Sequence, residues 1–516
     1  MRRLSGVFGE RPAVRFLLTW LLLFIAGASW AIATPLGASP DEPAHIIKAA
    51  AVVRGELLGE PTDAPAVREV IVPRGIADSL GWTCYRRDGT VEATCMPPVS
   101  DDWSDAPATT SAGLYNPTYY ALVGWPSLVL QDTSAVAMGM RLVNALLTSL
   151  FLAIAVAALL KFGRSRIIVA TIAAAVTPMV IFLNASVNPN GLEIAAGAAL
   201  LASLLYLVRR DPEARWRWLV VIAVSGILLA QSRGLSPLWL GLLGLTAIIA
   251  ARPERLGRLL RSPGVWITIA ALLGGMLAAG AWILRTGTLG SMGVFPGAGE
   301  VEPPEAFIQM LFEVALDPGY IGLFGWLDAP APAIAYVTWS FLACLLVLVA
   351  IGFARGRLLA ALAFALLVFF FVPPIVQAAS IETSGYIWQG RYALVAYVGV
   401  MIVAGVAAVE WGASSPRTGV PMRALRRIDV AVVSIVSFAQ AFSLLQATKR
   451  YAVGTDDSWS AFFTEPRWLP PLGAYVWPTL VAAAFVGLFI TLRPREPHDD
   501  EPMAEHADRE PVTRTA

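Results

Sequence analysis

Charge is the first thing this chain is short of. Only 15% of its residues are Asp, Glu, Lys or Arg, against roughly a quarter in a soluble domain. With 57% of residues hydrophobic, there is too little polar surface to cover a water-facing fold of this length, which excludes an ordinary soluble protein. The Lys and Arg residues form no basic stripe, so nucleic acid is excluded as a partner. Histidine is also rare, and two of the three, His498 and His506, lie in a polar C-terminal tail; histidines spaced to hold a metal are therefore missing. No glycine loop that could cradle a nucleotide and no serine-nucleophile elbow is present. Nor is there an inverted repeat of the transporter kind. Cysteine occurs three times. Cys344 falls in an apolar run, whereas Cys84 and Cys95 share one polar loop. If that loop is extracytoplasmic, a Cys84–Cys95 disulfide is expected; the alternative is two free thiols.

What the chain has in abundance is long apolar runs. They fall at 14–34, 135–160, 166–187, 190–208, 217–232, 235–250, 264–284, 333–353, 358–377, 391–411, 429–447 and 472–492. A run of ~18 residues crosses a ~30 Å hydrocarbon core as a helix. The reading is an all-α polytopic membrane protein of about twelve spans, one transmembrane domain over 14–493. A short N-terminus (1–13) precedes it, and a mixed-charge tail (494–516) that reads as disordered follows it.

Basic residues orient the spans. They cluster at the N-terminus (Arg2, Arg3, Arg11, Arg15), then at Lys161 to Arg166, Arg209 to Arg217, Arg252 to Arg261, Arg355 and Arg357, Arg417 to Arg427, and Arg493 to Arg495. Every second connection is basic, which puts both termini in the cytoplasm. The segment 115–130 contains Pro117 and Pro126; counted as a span it would break the alternation, so it reads as interfacial or re-entrant. The extracytoplasmic connections are then loops 35–134 and 285–332 and shorter ones near 188–191, 231–234, 378–390 and 448–471.

These outer loops hold the unusual polar residues. The first opens with Ser39-Pro40-Asp41-Glu42-Pro43-Ala44-His45. Ser39 and Glu42 have the spacing of a capping box, with Pro40 at the first helical position. Ile46, Ile47, Ala50, Val53 and Leu57 make one stripe, so an amphipathic juxtamembrane helix is expected on the membrane surface. Capping does not use Asp41, which shares a face with His45 and Lys48. Glu42 is open to both roles. Tyr115, Asn116 and Arg141 follow; aromatic anchoring and snorkelling are their plainer readings. Asn188 and Asn190 stand before the next run, as cap or site, and Glu193 inside it calls for a polar interior. Arg233 interrupts an apolar stretch. Tyr320, Trp326 and Asp328 punctuate loop 285–332, and Gln389 and Arg391 lead into the tenth run. An arginine there suits bidentate binding of a lipid phosphate.

Taken together, the pieces Pro40-Asp41-Glu42-Pro43-Ala44-His45, Tyr115-Asn116-Pro117, Arg141-Leu142-Val143-Asn144, Thr177-Pro178-Met179, Asn188-Pro189-Asn190, Gly325-Trp326-Leu327-Asp328 and Gln389-Gly390-Arg391-Tyr392 resemble the bacterial membrane family called domain of unknown function 2142. That family looks like a relative of the GT-C glycosyltransferases, which take sugars from polyprenyl-phosphate carriers outside the cytoplasm. The resemblance implies a GT-C-like fold. It also puts the acidic pair that follows helix one on Asp41 and Glu42, as catalytic base or as ligands of a divalent metal (Mg or Mn). Asn190 stands where many relatives carry a second acid.

The expectation is an inverting glycosyltransferase of the cell (inner or plasma) membrane. It would move sugar from a polyprenyl-phosphate donor to an envelope glycan, lipid or protein. Asp41 and Glu42 would be catalytic. His45, Tyr115, Asn116, Arg141, Asn188, Asn190, Arg233, Tyr320, Trp326, Asp328, Gln389 and Arg391 would bind substrate, with the two arginines Arg233 and Arg391 on the phosphate. The rivals are a transporter or flippase of lipid-linked sugars and a non-catalytic envelope-assembly protein.

Overall fold

The computed structural model describes residues 11–211, 213–290, 293–412 and 421–493. The tail read as disordered, the two histidines in it, Arg417, and the first ten residues lie outside these. Helices dominate. The first is α1 (Pro12–Ala33), followed by α2 (Glu42–Val53), the single turn α3 (Arg74–Ala77), α4 (Pro117–Val123), α5 (Pro126–Val129) and α6 (Thr133–Leu159). Then come α7 (Arg166–Ala175), α8 (Pro178–Asn184), α9 (Pro189–Arg209), α10 (Trp216–Ala230), α11 (Ser236–Ala250), α12 (Pro253–Leu259) and α13 (Pro263–Thr286). The rest are α14 (Pro303–Glu313), α15 (Ala333–Phe353), α16 (Arg357–Ser384), α17 (Leu394–Gly412), α18 (Met422–Val453), α19 (Trp459–Thr464) and α20 (Val476–Leu492).

Among the described residues, 8 helices are long and apolar enough to cross a membrane. The pair α7 and α8, bent by 60° at Thr177-Pro178, makes one further candidate span. Proline at that break removes a backbone donor and crowds the preceding turn. Helices α10, α11 and α20 are apolar but shorter.

Two helices form the centre. Both α9 and the segment Gly390–Glu410 are buried along nearly all their length. A helix apolar on every side has nowhere to face but the interior or lipid. Small residues let these two meet: a Cβ on Gly197 of α9 would lie 2.5 Å from a Val395 methyl, a close backbone approach that side chains would block.

Helix α9 also joins the two polar ends of the bundle, since 21 residues rise about 30 Å. Asn190 and Glu193 stand at its start and Arg209 at its end. At the Arg209 end, Glu410 pairs with Arg209, with Arg210 at 3.4 Å and with Arg252 at 3.2 Å. A further pair, Arg166 with Asp429 at 2.9 Å, links two of the other basic connections. The polar loops that precede and follow the other helix ends assemble at the opposite pole.

Loop 35–134 departs from expectation in three ways. It contains an antiparallel sheet of β1 (Glu60–Pro61), β2 (Arg68–Pro73) and β3 (Asp105–Thr110), with Val70 opposite Ala108 and Val72 opposite Ala106. Its alternation of exposed and buried residues is legible in hindsight, but the runs are short. Second, α2 is not a surface helix: from Glu42 to Val52 nearly every residue is buried, between β2, β3 and α4. The extra strands cover the face that sequence assigned to water. Third, the capping box is absent. Asp41 takes the N-cap position, Ser39 Oγ has no partner, and Pro43 rather than Pro40 sits in the first turn. Segment 115–130 forms α4 and α5, of 7 and 4 residues, too short to cross a membrane.

The sulfurs of Cys84 and Cys95 are bonded, with Cα atoms 6.0 Å apart. A small ladder of β4 (Leu323–Phe324) and β5 (Ala329–Pro330) closes the turn that carries Trp326 and Asp328.

Candidate functional site

The adjacent acids Asp41 and Glu42 point to different places. Asp41 has φ +64°, in the left-handed region, which Asp and Asn tolerate better than other non-glycine residues. That turn sends its carboxylate out of the helix start, half-exposed. Glu42 faces inward and is fully buried. Arg141 of α6 grips it twice, Nε donating to Oε1 at 2.8 Å and Nη2 to Oε2 at 2.6 Å. The remaining Arg141 donors go to the carbonyls of Ala31 (2.8 Å), Thr34 (3.0 Å) and Pro35 (2.7 Å). All the guanidinium donors are thus used. Glu42 Oε1 also accepts the Val187 N–H at 3.0 Å. The Glu42–Arg141 pair is a clamp joining α1, α2, α6 and the turn after α8. Arg141 has no donor left for substrate, and Glu42 is fully buried against it.

This geometry also bears on the metal expected between Asp41 and Glu42. One of the two carboxylates is spent on Arg141. Among the described residues no three His, Cys, Asp or Glu side chains converge as a metal site. The acidic pair does not fit a shared divalent ion.

Asp41 instead meets Arg391, which donates from Nη2 to Asp41 Oδ2 at 3.1 Å. Arg391 is buried, yet its Nε and Nη1 have no hydrogen-bond partner. A buried guanidinium with unused donors is costly unless an anion completes it. The adjoining ring of Tyr392 lies between two cations, with Arg391 5.3 Å and Arg233 4.3 Å from its centroid. Arg233 is more fully engaged: Nη1 donates to Asn190 Oδ1 at 2.6 Å and lies 3.6 Å from Glu193. Glu193 in turn accepts from the Ser236 hydroxyl at 2.6 Å. The polar interior that Glu193 required is this network.

His45 is close by. Its Nδ1 hydrogen-bonds the Tyr120 hydroxyl at 2.8 Å, and its ring meets Tyr115 edge-on at 5.7 Å. Burial pushes its pKa down to about 4; Asp41 works against that and the charges of Arg391 and Arg233 work with it. The imidazole is therefore neutral near pH 7. Burial likewise raises the pKa of Tyr115. Lys48, placed by spacing on the face of Asp41 and His45, is turned away to donate to the Leu57 and Gly113 carbonyls, both at 2.6 Å.

Next to Arg391 lies a cavity of about 640 Å³, lined by Arg391, Gln389, Trp388, Asp317 and the apolar Met179, Met310 and Leu323 among others. Its wall α14 carries Ile308 and Phe312 exposed, with Leu316 just beyond. Two tight turns shape its head. Gly390 abuts Asp317, whose Oδ1 would lie 2.5 Å from a Cβ there, so a larger residue would have to displace the Asp317 carboxylate. Asp317 accepts the Gly319 N–H at 2.7 Å, and burial raises its pKa. Gln377 braces the other turn, donating to Gly385 O at 2.8 Å and accepting from the Ile387 and Trp388 N–H groups. The Trp388 indole N–H and Gln389 Oε1, both buried, have no partner.

The fold therefore gathers Asp41, His45, Tyr115, Asn190, Arg233, Gln389 and Arg391. The other residues assigned to substrate by sequence are built into the frame. Asn188 caps α9, its Oδ1 accepting from Asn190 N at 3.0 Å. Asn116 caps α4 and holds Gln231. Asp328 pairs with Arg450 at 2.6 Å, and Arg450 ties the carbonyls of Tyr85, Asp88 and Val91. The Trp326 indole donates to Gly37 O at 2.9 Å. Tyr320 stacks on Tyr397 at 5.9 Å, inside the core. Sequence reasoning passed over Tyr392, Asp317 and Gln377. Tyr392 stands in the sequence as a plain neighbour of Arg391, and the other two lie in stretches with no distinctive spacing.

A family model described as "Predicted membrane protein (DUF2142)" matches residues 24–400, a range that includes every residue of the gathered site. No curated protein and no solved structure matches the chain.

Proposed function

The chain belongs to the DUF2142 family of predicted membrane proteins, and from that premise we propose that it is a glycosyltransferase using a polyprenyl-phosphate sugar as donor. The single observation that carries the reading is Arg391: a buried guanidinium with two unused donor nitrogens, 3.1 Å from the Asp41 carboxylate, at the head of a largely apolar cavity. A lipid phosphate completes such an arginine, and an apolar groove suits the polyprenyl chain.

In the proposed step, an acceptor hydroxyl attacks the anomeric carbon on the face opposite the phosphate. The new bond joins acceptor oxygen to C1, and the bond from C1 to the phosphate oxygen breaks. The electron pair leaves on the polyprenyl phosphate, whose charge Arg391 neutralises. Asp41 takes the acceptor proton, giving inversion. Arg233, already matched by Glu193 and Asn190, sets the local field and the position of Tyr392 rather than gripping phosphate.

The accompanying fold reading is GT-C-like, with twelve spans: the 8 long helices, the α7–α8 pair, and the three shorter apolar helices α10, α11 and α20. The positive-inside rule then places the Glu410 end in the cytoplasm of the cell membrane and the Asp41 end outside it. The donor would be a polyprenyl-phosphate-linked sugar and the acceptor an envelope glycan, lipid or protein.

The test is sugar release from a polyprenyl-phosphate sugar by purified protein in nanodiscs, with an envelope extract as acceptor. Transfer by the parent and loss in Asp41→Asn are expected. Movement of the lipid-linked sugar between leaflets with no transfer would replace this reading with a flippase. No turnover, together with normal envelope glycans in cells carrying Asp41→Asn but not in a deletion strain, would replace it with an assembly role.

A further inference from the structure

The bundle holds a second cavity, at the end opposite Asp41. It encloses about 930 Å³ between α1, α6 and the start of α10. Its walls are mostly apolar and include Phe16, Ile154 and Ala157, while its rim carries Arg15, Lys161, Arg215 and Arg217. Among the described residues that line it, none is Asp or Glu. Arg215 is shared with Asp211 at 4.0 Å and Glu213 at 3.4 Å, so Lys161 and Arg217 carry the clearest positive surplus. The size is that of a site for an organic ligand, far more than a single ion needs.

The surroundings say which ligand. Leu17 on α1 and Val220 and Val224 on α10 are exposed beside the cleft, at 54%, 50% and 45%, so it opens sideways onto the surface that faces hydrocarbon. Trp216 is 67% exposed at the rim, and the Arg217 guanidinium lies 5.7 Å from its ring. An exposed tryptophan beside arginine marks the headgroup level of a bilayer. Apolar walls open to lipid, under a cationic rim at headgroup depth, match a molecule that is apolar along its length and anionic at one end.

We infer that this cleft is a binding site for one anionic phospholipid of the leaflet at the basic end, with its phosphate held by Lys161 and Arg217 and an acyl chain against α1 and α6. Simple topogenic charge would explain the cations but not a cavity beneath them. The site is independent of the chemistry proposed at Asp41.

Native mass spectrometry of the full chain, delipidated in detergent and titrated with phosphatidylglycerol or phosphatidylcholine, tests it. The parent should retain phosphatidylglycerol with a preference of about tenfold or more, the size expected from two cations near a headgroup. Lys161→Gln with Arg217→Gln should abolish the preference while leaving weak binding of both lipids. Ala157→Phe, which fills the apolar wall and keeps every cation, should lose retention of both. An excess of inorganic phosphate should not displace the lipid. Equal retention of the two lipids by the parent, an unchanged preference in the double variant, or displacement by phosphate alone would overturn the assignment.

Discussion

Arg391 and Asp41 stand 350 positions apart in the chain, yet one guanidinium nitrogen of the first meets a carboxylate oxygen of the second at 3.1 Å. The rest of that guanidinium is buried without an acceptor. Two donor nitrogens of Arg391 are thus left over, and the lipid phosphate of the proposed reaction would take them up.

From this follows the first prediction. Asp41→Asn keeps the left-handed backbone that Asn also tolerates but takes the carboxylate from buried Arg391, so melting should drop somewhat and turnover is compared on folded protein. Transfer should fall by about 10²- to 10⁴-fold, the usual worth of a general base. Arg391→Lys keeps charge but loses the planar fork; a loss of about 10²- to 10³-fold in kcat is expected. Turnover assays with melting curves in detergent check both. Full activity in either variant would remove that residue from the site.

Glu42 should behave in the opposite manner to its neighbour. Glu42→Gln leaves Arg141 buried with one partner weakened, and breaking a buried pair costs about 3–5 kcal/mol. Melting should therefore drop sharply. Replacing both members by leucine should not restore it, because the carbonyls of Ala31, Thr34 and Pro35 and the Val187 N–H would lose their partners too. Recovery to parent stability in the double variant would show that the clamp carries no such weight.

Acid should destabilise the Asp41 end of the protein through His45. Its folded pKa of about 4 lies below the ordinary 6.5, so the unfolded chain takes up the proton first. The stabilisation is complete above about pH 6.5 and is lost as pH falls from there, by roughly 3 kcal/mol at pH 4. Unfolding free energy measured from pH 8 to pH 4 should show that slope, and His45→Gln should flatten it. An unchanged acid limb in the variant would assign the slope elsewhere.

Topology can be read by labelling. With Cys344 replaced, single cysteines at Arg87 and at Glu213 should react with an impermeant reagent from opposite sides of intact cells or inverted vesicles. Labelling from one side would refute the basic-inside arrangement. Reducing the Cys84–Cys95 bond, 11 positions apart, should cost loop 35–134 about 3 kcal/mol by loop-closure entropy, visible as faster proteolysis between 35 and 134.

Some of the site was legible beforehand because its signal is local. Asp41 and His45 lie one turn apart; Arg233, Gln389 and Arg391 stand out as polar groups where apolar runs break. The α2 expectation failed because its stripe is real but its other face is also covered, by strands too short to read. Glu42, read as one of a pair with Asp41, is held by Arg141 instead, because adjacency in sequence says nothing of direction. The left-handed backbone of Asp41 itself sends the two neighbouring carboxylates in different directions.

By itself, the sequence determined that this chain lives in a membrane, where most of its long apolar helices lie, though α16 and α18 run about two turns beyond the apolar runs 358–377 and 429–447, and which of its connections are basic. Those properties follow from hydropathy and charge, which add up locally along the chain. Which acid pairs with which arginine was decided only by the packing of α1, α2, α6 and the turn before α17. Ion pairs and unused donors depend on contacts between residues hundreds of positions apart, and no local pattern encodes them.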